Sequence, residues 1–228
     1  MVDFKKLQEE MKSGEWERKK KQREAAEEEL KQQIIRQTAC FTGHRPDKLF
    51  GYNLKDNRYK ILYKKLTEAI ELCINEENIT RFISGGAIGT DQISYWLVYK
   101  LKEKYPDIKN IVAIPFKNQP NAWKDKDTIK WYSKMLERAD EIIYVDDIDD
   151  FRYRTNEVSV GEYHIGKMQR RNEWIVDNSR IVIAVFNGEK GGTRNCVYYA
   201  RRMGNSIFKL DPRDNFELDI TYGRYHNR

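Results

Sequence analysis

Short apolar runs alternate with longer amphipathic stretches from Thr38 onward, a pattern typical of strands and helices around a parallel sheet. The apolar runs predict six strands, at residues 38–42, 81–84, 110–114, 141–145, 180–186 and 206–210. The amphipathic stretches predict five helices, at residues 58–75, 91–105, 122–138, 167–178 and 194–203. Each connection is long enough for a crossover between parallel strands. The pattern therefore predicts one α/β domain over residues 38–210, with a doubly wound, mostly parallel sheet of the Rossmann type.

The first 37 residues have a different pattern, with 10 basic and 9 acidic residues and no proline. They predict a charged, solvated helical extension, interrupted near Ser13-Gly14. Its apolar positions are too sparse for a heptad repeat: Leu7, Met11, Trp16, Leu30, Ile34 and Ile35. This arm is either an element for oligomerisation or partner binding, or a loosely docked one. Residues 211–228 are polar and predict a C-terminal tail.

Composition places the chain among folded, soluble proteins, since 34% of its 228 residues are charged and 39% are apolar. Its three cysteines have no C-x-x-C spacing, which favours reduced thiols and argues against structural zinc. No apolar run approaches the roughly 20 residues that span a bilayer, and the N-terminus does not resemble a signal peptide. We therefore expect a cytoplasmic protein without a membrane partner. The net charge of +6 suits polyanionic partners, but a solubility role explains it equally well.

The loop after the first strand is the first candidate for binding chemistry, because ligands of doubly wound sheets lie beyond the carboxyl ends of the strands. It reads Gly43-His44-Arg45-Pro46. Glycine permits a tight turn, and the planar guanidinium of Arg45 suits a phosphate. A simple turn closed by Pro46 is the alternative.

The loop after the second strand is richer in glycine and runs directly into a helix. It reads Ser84-Gly85-Gly86-Ala87-Ile88-Gly89-Thr90-Asp91. Backbone N–H groups of such a loop approach an anion closely, and the helix N-terminus adds unpaired donors. Thr90 and Asp91 can cap the helix, and Asp91 can alternatively accept from a ribose hydroxyl. The sequence favours phosphate binding here over a turn without a ligand.

Further candidates follow later strands. The turn Asn187–Asn195 contains Gly191-Gly192-Thr193 and opens another helix, which predicts a second anion-binding turn. Arg171 and Asn172 lie near the start of the preceding helix, within reach of the same cleft or on a solvated face. Phe116 and Trp123 are candidates for base stacking or core packing. The loop from Asp146 contains four aspartates, which are more typical of a solvated loop than of a Mg²⁺ site. No serine lies in a G-x-S-x-G turn, so nucleophilic hydrolase chemistry is not supported.

Taken together, these motifs resemble the SLOG superfamily, a Rossmann-like group that includes the LOG phosphoribohydrolases and the DNA-processing protein DprA. They are most similar to its YpsA/YoqJ-like bacterial and phage branch. The resemblance spans about residues 38–210 and rests on four sets of residues: Gly43-His44-Arg45, Ser84-Gly85-Gly86-Ala87 with Gly89 and Asp91, Arg171-Asn172 with Asp177, and Gly191-Gly192-Thr193.

The resemblance implies a cleft for a nucleotide or nucleotide-derived small molecule, in a sensing, sequestering or signalling role. LOG enzymes place a glutamate after their Gly-Gly turn, but this chain reads Gly191-Gly192-Thr193-Arg194-Asn195-Cys196-Val197. An N-glycosidic hydrolase would therefore need another acid, and the candidates are Asp91, Asp177 and Glu189. DprA binds single-stranded DNA, which is a third alternative, although residues 38–228 hold only 32 basic against 27 acidic residues. We expect a homo-oligomer and no cofactor besides the Mg²⁺ that a nucleotide can carry.

Overall fold

The computed structural model describes residues 14–224. Positions 1–13 and 225–228, and with them the predictions made for Leu7 and Met11, lie outside the described residues. The helices are α1 (Glu15–Arg36), α2 (Asn57–Asn75), α3 (Thr90–Leu101), α4 (Lys126–Arg138), α5 (Ile165–Asp177) and α6 (Gly192–Met203). The strands are β1 (Thr38–Gly43), β2 (Arg81–Ser84), β3 (Lys109–Ile114), β4 (Glu141–Tyr144), β5 (Ile181–Val185), β6 (Ser206–Leu210) and β7 (Leu218–Thr221).

All seven strands belong to one sheet, in the order β4-β3-β2-β1-β5-β6-β7. Strands β1 to β6 are parallel, and β7 pairs antiparallel with β6. At the centre, Cys40 of β1 is in register with Ile83 of β2 and with Val182 of β5. This order confirms the predicted doubly wound α/β fold, because the chain runs outward from β1 in one direction and then restarts on its other side at β5.

Helices cover both faces of the sheet, as buried parallel strands require. Phe41 points to one face and packs in the same cluster as Leu62 of α2. Its neighbour Cys40 points to the opposite face and packs in a second cluster with Val197 of α6. The chain therefore leaves β1 toward one face and leaves β5 toward the other, which opens a crevice between the two loops.

Capping residues explain where the helices begin and why two of them differ from their predicted ranges. Asp125 accepts a hydrogen bond from the N–H of Thr128, so α4 begins at Lys126 rather than at the predicted residue 122. His164 accepts from the N–H of Gly166 through Nδ1, which starts α5 before the predicted residue 167. Asp56 accepts from the N–H of Arg58 and caps α2, which begins at Asn57, one residue before the predicted start.

The predicted polar tail is wrong for residues 211–224. Phe216 is only 2% exposed and packs edge-to-face on Phe50, and β7 then pairs along β6. After β7, the N–H of Gly223 donates to Ser206 Oγ. The alternation of Leu218 and Ile220 with polar residues is a strand signal, but a run of four residues was too short to stand out.

The chain divides into two units between Arg36 and Gln37, one position before the predicted boundary. The first unit contains α1, which buries none of its described side chains. Trp16 and Leu30 are 41% and 57% exposed. The role of the arm stays a prediction. Within residues 14–224, no helix has the length and apolar character needed to cross a membrane.

Candidate functional site

A buried histidine bridges the two loops that frame the crevice. His44 follows β1 directly, and its Nε2 lies 2.7 Å from Oδ1 of Asn187, which follows β5. The N–H of Glu189 donates to the same Oδ1 at 3.0 Å, and the backbone N–H of Asn187 donates to His44 Nε2 at 3.1 Å. The backbone N–H of His44 donates to Val185. These bonds fix the spacing of the two loops.

We expect His44 to titrate below about 6.5, the usual value for histidine. Burial lowers the pKa of its imidazole because it disfavours the charged form. An unfolded chain therefore binds this proton first as the pH falls, so the free energy of unfolding decreases as the pH drops through about 6.5. NMR titration of the ring protons measures the midpoint, and His44→Gln identifies the resonance. A midpoint above about 7 would contradict the prediction.

The loop after β2 packs directly on the loop after β1. Thr90 donates to the carbonyl of His44 from both its N–H and its Oγ1, at 3.2 and 2.9 Å. A Cβ on Gly43 would overlap the side chain of Thr90. Gly89 has a φ of +99°, and a Cβ there would lie 2.8 Å from the carbonyl of His44. Both glycines are therefore required by the close approach of two backbones.

Beneath this loop lies a buried ion pair. Arg171 Nη1 of α5 is 3.4 Å from Asp91 Oδ2 at the start of α3, and both side chains are less than a tenth exposed. The N–H of Ala87 also donates to Asp91 Oδ2, at 3.2 Å. Burial raises the pKa of Asp91, and the nearby Arg171 opposes that shift. A Cβ on Gly85 would overlap the Arg171 guanidinium, so the glycine makes room for this pair.

The crevice itself contains a small polar cavity of about 150 Å³. From the β1 side it is lined by His44, Arg45, Asp47 and Lys48, and from the β5 side by Glu189, Lys190, Gly191, Gly192 and Thr193. Two of the predicted motifs, Gly43-His44-Arg45 and Gly191-Gly192-Thr193, are thus brought together. The glycine-rich loop at Ser84–Asp91 is behind them rather than in the lining, and its phosphate-binding role stays a prediction.

Basic side chains outnumber acidic ones in the lining of the cavity, with Arg45, Lys48 and Lys190 against Asp47 and Glu189. The Arg45 side chain is exposed and forms no ion pair or hydrogen bond within residues 14–224. Opposite it, α6 begins at Gly192 without a side-chain cap and without an acidic residue in its first turn. A Cβ on Gly192 would meet nothing within 4 Å, so the first residue of α6 borders open space. Lys48 Nζ lies 3.2 Å from Glu189 Oε2, and both side chains are exposed.

The three candidate acids all have partners. Asp91 is paired with Arg171 below the loop. Asp177 accepts from the hydroxyl of Tyr199 with both carboxylate oxygens, at 2.9 and 3.0 Å. Burial, together with this bond, raises the pKa of Tyr199 to about 12. Of the three acids, Glu189 alone lines the cavity.

Other predicted site residues lie away from the cavity. Ser84 and Gly86 are buried, and a Cβ on Gly86 would lie 3.1 Å from Tyr132. Asn172 is half-buried on α5. For the aromatic candidates, Phe116 is 2% exposed, as its core-packing alternative expects, and Trp123 packs edge-to-face on Tyr132.

Sequence reasoning missed Lys48, Asn187 and the residues that anchor the long segment before α5. Lys167 Nζ lies 3.0 Å from Asp146 Oδ2, and both side chains are buried. Asp147 pairs instead with Lys117, at 3.3 Å, so the aspartates of this segment diverge. Among the residues described, no group of three or more His, Cys, Asp or Glu side chains is arranged to hold a metal ion. For Asn187, the available signal was its position as the first polar residue beyond a buried strand.

Comparisons with known proteins find relatives in sequence and in fold. A family model described as the YspA SLOG family matches residues 39–207. The chain is 48% identical over 163 residues to the uncharacterized SPbeta prophage-derived protein YoqJ of Bacillus subtilis (strain 168), covering 71% of this chain and 94% of YoqJ. It is 26% identical over 148 residues to a UPF0398 protein of Bacillus thuringiensis (strain Al Hakam), covering 65% of this chain and 71% of that protein.

Among solved structures, the fold is similar to the X-ray structure of DNA processing protein A (DprA) from Streptococcus pneumoniae. The TM-score is 0.50 at 15% sequence identity, covering 75% of this chain and 49% of that chain. This chain thus matches about half the length of DprA, and at this identity the likeness concerns the fold alone.

Proposed function

Because this chain belongs to the YspA SLOG family, we propose that it binds a nucleotide or nucleotide-derived small molecule, with a phosphate held between Arg45 and the first turn of α6. The motif resemblance to that superfamily is confirmed by the family match. The observation that carries the proposal is the uncapped N-terminus of α6, which faces Arg45 across the crevice between β1 and β5.

The first turn of α6 supplies donors that no described side chain satisfies. The earliest N–H groups of a helix have no partner within the helix, and the helix dipole makes them attractive to anions. Gly191 and Gly192 have no side chain to screen these donors, and Arg45 adds two further donors in a planar fork. A phosphate in this cavity would accept hydrogen bonds both from the first turn of α6 and from Arg45.

Lys48 can join the phosphate at little cost. Its Nζ pairs with Glu189 and donates to the carbonyl of Lys190, and solvent screens the ion pair because both side chains are exposed. Glu189 itself opposes an anion, because its carboxylate is at the rim of the same cavity. Neutralising Lys48 should therefore weaken phosphate binding, whereas neutralising Glu189 should strengthen it.

Binding is proposed rather than cleavage. Asp91 and Asp177 are engaged with Arg171 and Tyr199, and neither lines the cavity. The small volume of the cavity, about 150 Å³, suits one phosphate group rather than a length of strand. Hydrolysis of a nucleotide and binding of single-stranded DNA can both be measured with the same purified protein.

We expect Arg45→Ala to weaken binding of AMP and of ribose 5-phosphate about tenfold, as loss of a charge-assisted hydrogen bond does. Glu189→Gln should strengthen both, because it removes a negative charge from the rim. Isothermal titration calorimetry measures the affinities. Arg201→Ala is the matched control, since this exposed arginine lies in the last turn of the same helix.

Three results would count against the proposal. The first is no heat of binding for any nucleotide or for ribose 5-phosphate at millimolar concentration. The second is an equal loss of affinity in Arg45→Ala and Arg201→Ala, which would indicate unspecific attraction. The third is salt-sensitive binding of labelled single-stranded DNA that free nucleotides do not displace, which would favour a nucleic-acid function.

A further inference from the structure

A second and larger cavity lies on the outer face of α3. It measures about 750 Å³, within the range of about 300–1,000 Å³ that small-molecule sites occupy. Helices α2 and α4 form its two sides, together with the segment that follows β1. We call it the aromatic groove, after the side chains that line it: Tyr52, Tyr63, Trp96 and Trp131.

The aromatic groove adjoins the proposed phosphate cavity. Pro46 lines the groove, whereas its two neighbours, Arg45 and Asp47, line the cavity in the crevice. Gly89 also lines the groove, and a Cβ there would lie 3.0 Å from Arg45 Cα and 3.0 Å from Pro46 Cδ. One short turn of chain therefore separates the two cavities, and Arg45 is at their junction.

The chemistry of the groove suits an uncharged planar ring. Aromatic side chains offer flat faces for stacking, and no lysine or arginine is among the described residues that line it. Two polar side chains are also part of the lining. Gln92 donates to Gly86 through Nε2, which leaves Oε1 as an acceptor, and Asp125 uses Oδ2 to cap α4.

These features disfavour a nucleic-acid strand in the groove. Surfaces that bind single strands combine stacking side chains with a basic track along the backbone. Here the stacking residues are present without the basic track, and the positive groups lie beyond Pro46, at Arg45 and Lys48. The arrangement matches a ligand that has one anionic end and one planar, uncharged end.

We propose that the aromatic groove holds the heteroaromatic base of the ligand whose phosphate lies at Arg45. This inference rests on the proposed function and adds to it a second subsite. The base contacts Trp96 and Trp131, and Gln92 Oε1 and Asp125 Oδ1 accept hydrogen bonds from its edge. The ligand class is therefore a nucleoside phosphate rather than a sugar phosphate.

The test compares AMP, GMP, CMP and UMP with ribose 5-phosphate on the full chain by calorimetry. At least one nucleotide should bind about tenfold more tightly than ribose 5-phosphate, because stacking adds affinity that the sugar phosphate lacks. Trp131→Ala should remove this advantage and leave ribose 5-phosphate binding unchanged. Trp131 is 51% exposed and is not one of the buried core residues. The matched control is Tyr198→Ala, an aromatic residue that is 49% exposed on α6.

The outcomes separate this inference from the proposed function. Equal affinity for ribose 5-phosphate and every nucleotide overturns the base subsite and leaves the phosphate site standing. A nucleotide advantage that survives in both Trp131→Ala and Trp96→Ala also overturns it. A change of sedimentation behaviour in Trp131→Ala, with nucleotide affinities unchanged, would assign the groove to a second copy of the chain instead. If neither the nucleotides nor ribose 5-phosphate binds, the proposed function itself is contradicted, and the base subsite with it.

Discussion

Replacing Gly85 with alanine is expected to lower the free energy of unfolding by about 3–5 kcal/mol, the usual result of breaking a buried ion pair. The added Cβ would overlap the Arg171 guanidinium and lie 2.5 Å from Asp91 Oδ2. Arginine is flexible at its far end, but this one is only 4% exposed, so its guanidinium would have to move within the packed interior. Its displacement leaves Asp91 buried without its partner. Urea denaturation measures the loss.

Gly192→Ala is the matched control for this prediction. Its Cβ would meet nothing within 4 Å, and the residue is in the first turn of α6, where alanine is favoured over glycine. We expect its stability to stay within about 1 kcal/mol of the unmodified chain. Equal losses in the two variants would show that the Gly85 effect does not come from the ion pair.

Arg171→Leu should cause a loss of similar size, about 3–5 kcal/mol at neutral pH, because it leaves Asp91 charged and buried. The double variant with Asp91→Leu should recover much of that loss, since replacing both partners leaves no unpaired charge. Chemical denaturation of the unmodified chain, the two single variants and the double variant gives the coupling energy between Arg171 and Asp91. Arg170→Leu is the control, since the neighbouring arginine pairs with Glu173 on the exposed side of α5.

The pH dependence of the Arg171→Leu variant has a predictable sign. Burial already raises the pKa of Asp91, and Arg171 is the largest influence that lowers it. Without Arg171, the folded state holds the proton to higher pH than the unfolded state does. The variant should therefore regain stability as the pH falls from 7 toward about 4, the ordinary pKa of aspartate. A loss that is constant over this range would contradict the assignment.

The same ion pair changes how mutants of this loop are to be interpreted. Asp91→Ala removes the carboxylate that holds Ala87 and pairs with Arg171. Loss of any activity in that variant would follow from instability and would not identify a catalytic acid. Glu189, which is exposed at the rim of the crevice, is the acid whose substitution tests chemistry separately from folding.

The strands and crossovers could be predicted from sequence because each buried strand is a compact apolar run, as at Ile181–Val185. What lies beside each glycine could not be predicted in the same way. Glycine reports that a side chain has no room, and the sequence does not say what occupies the space. At Gly85 it is the guanidinium of Arg171, which is 86 residues further along the chain, whereas phosphate was the occupant expected from sequence.

The sequence predicted a cleft beyond the carboxyl ends of the strands, formed by glycine-containing loops. The contacts that define its width were not predicted, because the bond between His44 and Asn187 joins residues 143 positions apart. Lys48 was missed because a single lysine after a turn belongs to no sequence motif. Its position at the crevice is evident only when the structure places Glu189 and α6 opposite it.

The antiparallel strand β7 has a practical consequence for anyone who shortens this protein. A chain ending at residue 210, where the apolar periodicity stops, would leave β6 as a bare edge with unpaired backbone groups beside the buried Phe208. Exposed edges of this kind template strand addition between molecules. A shortened form should therefore keep the chain to about residue 224, where the N–H of Arg224 still donates to Gly204.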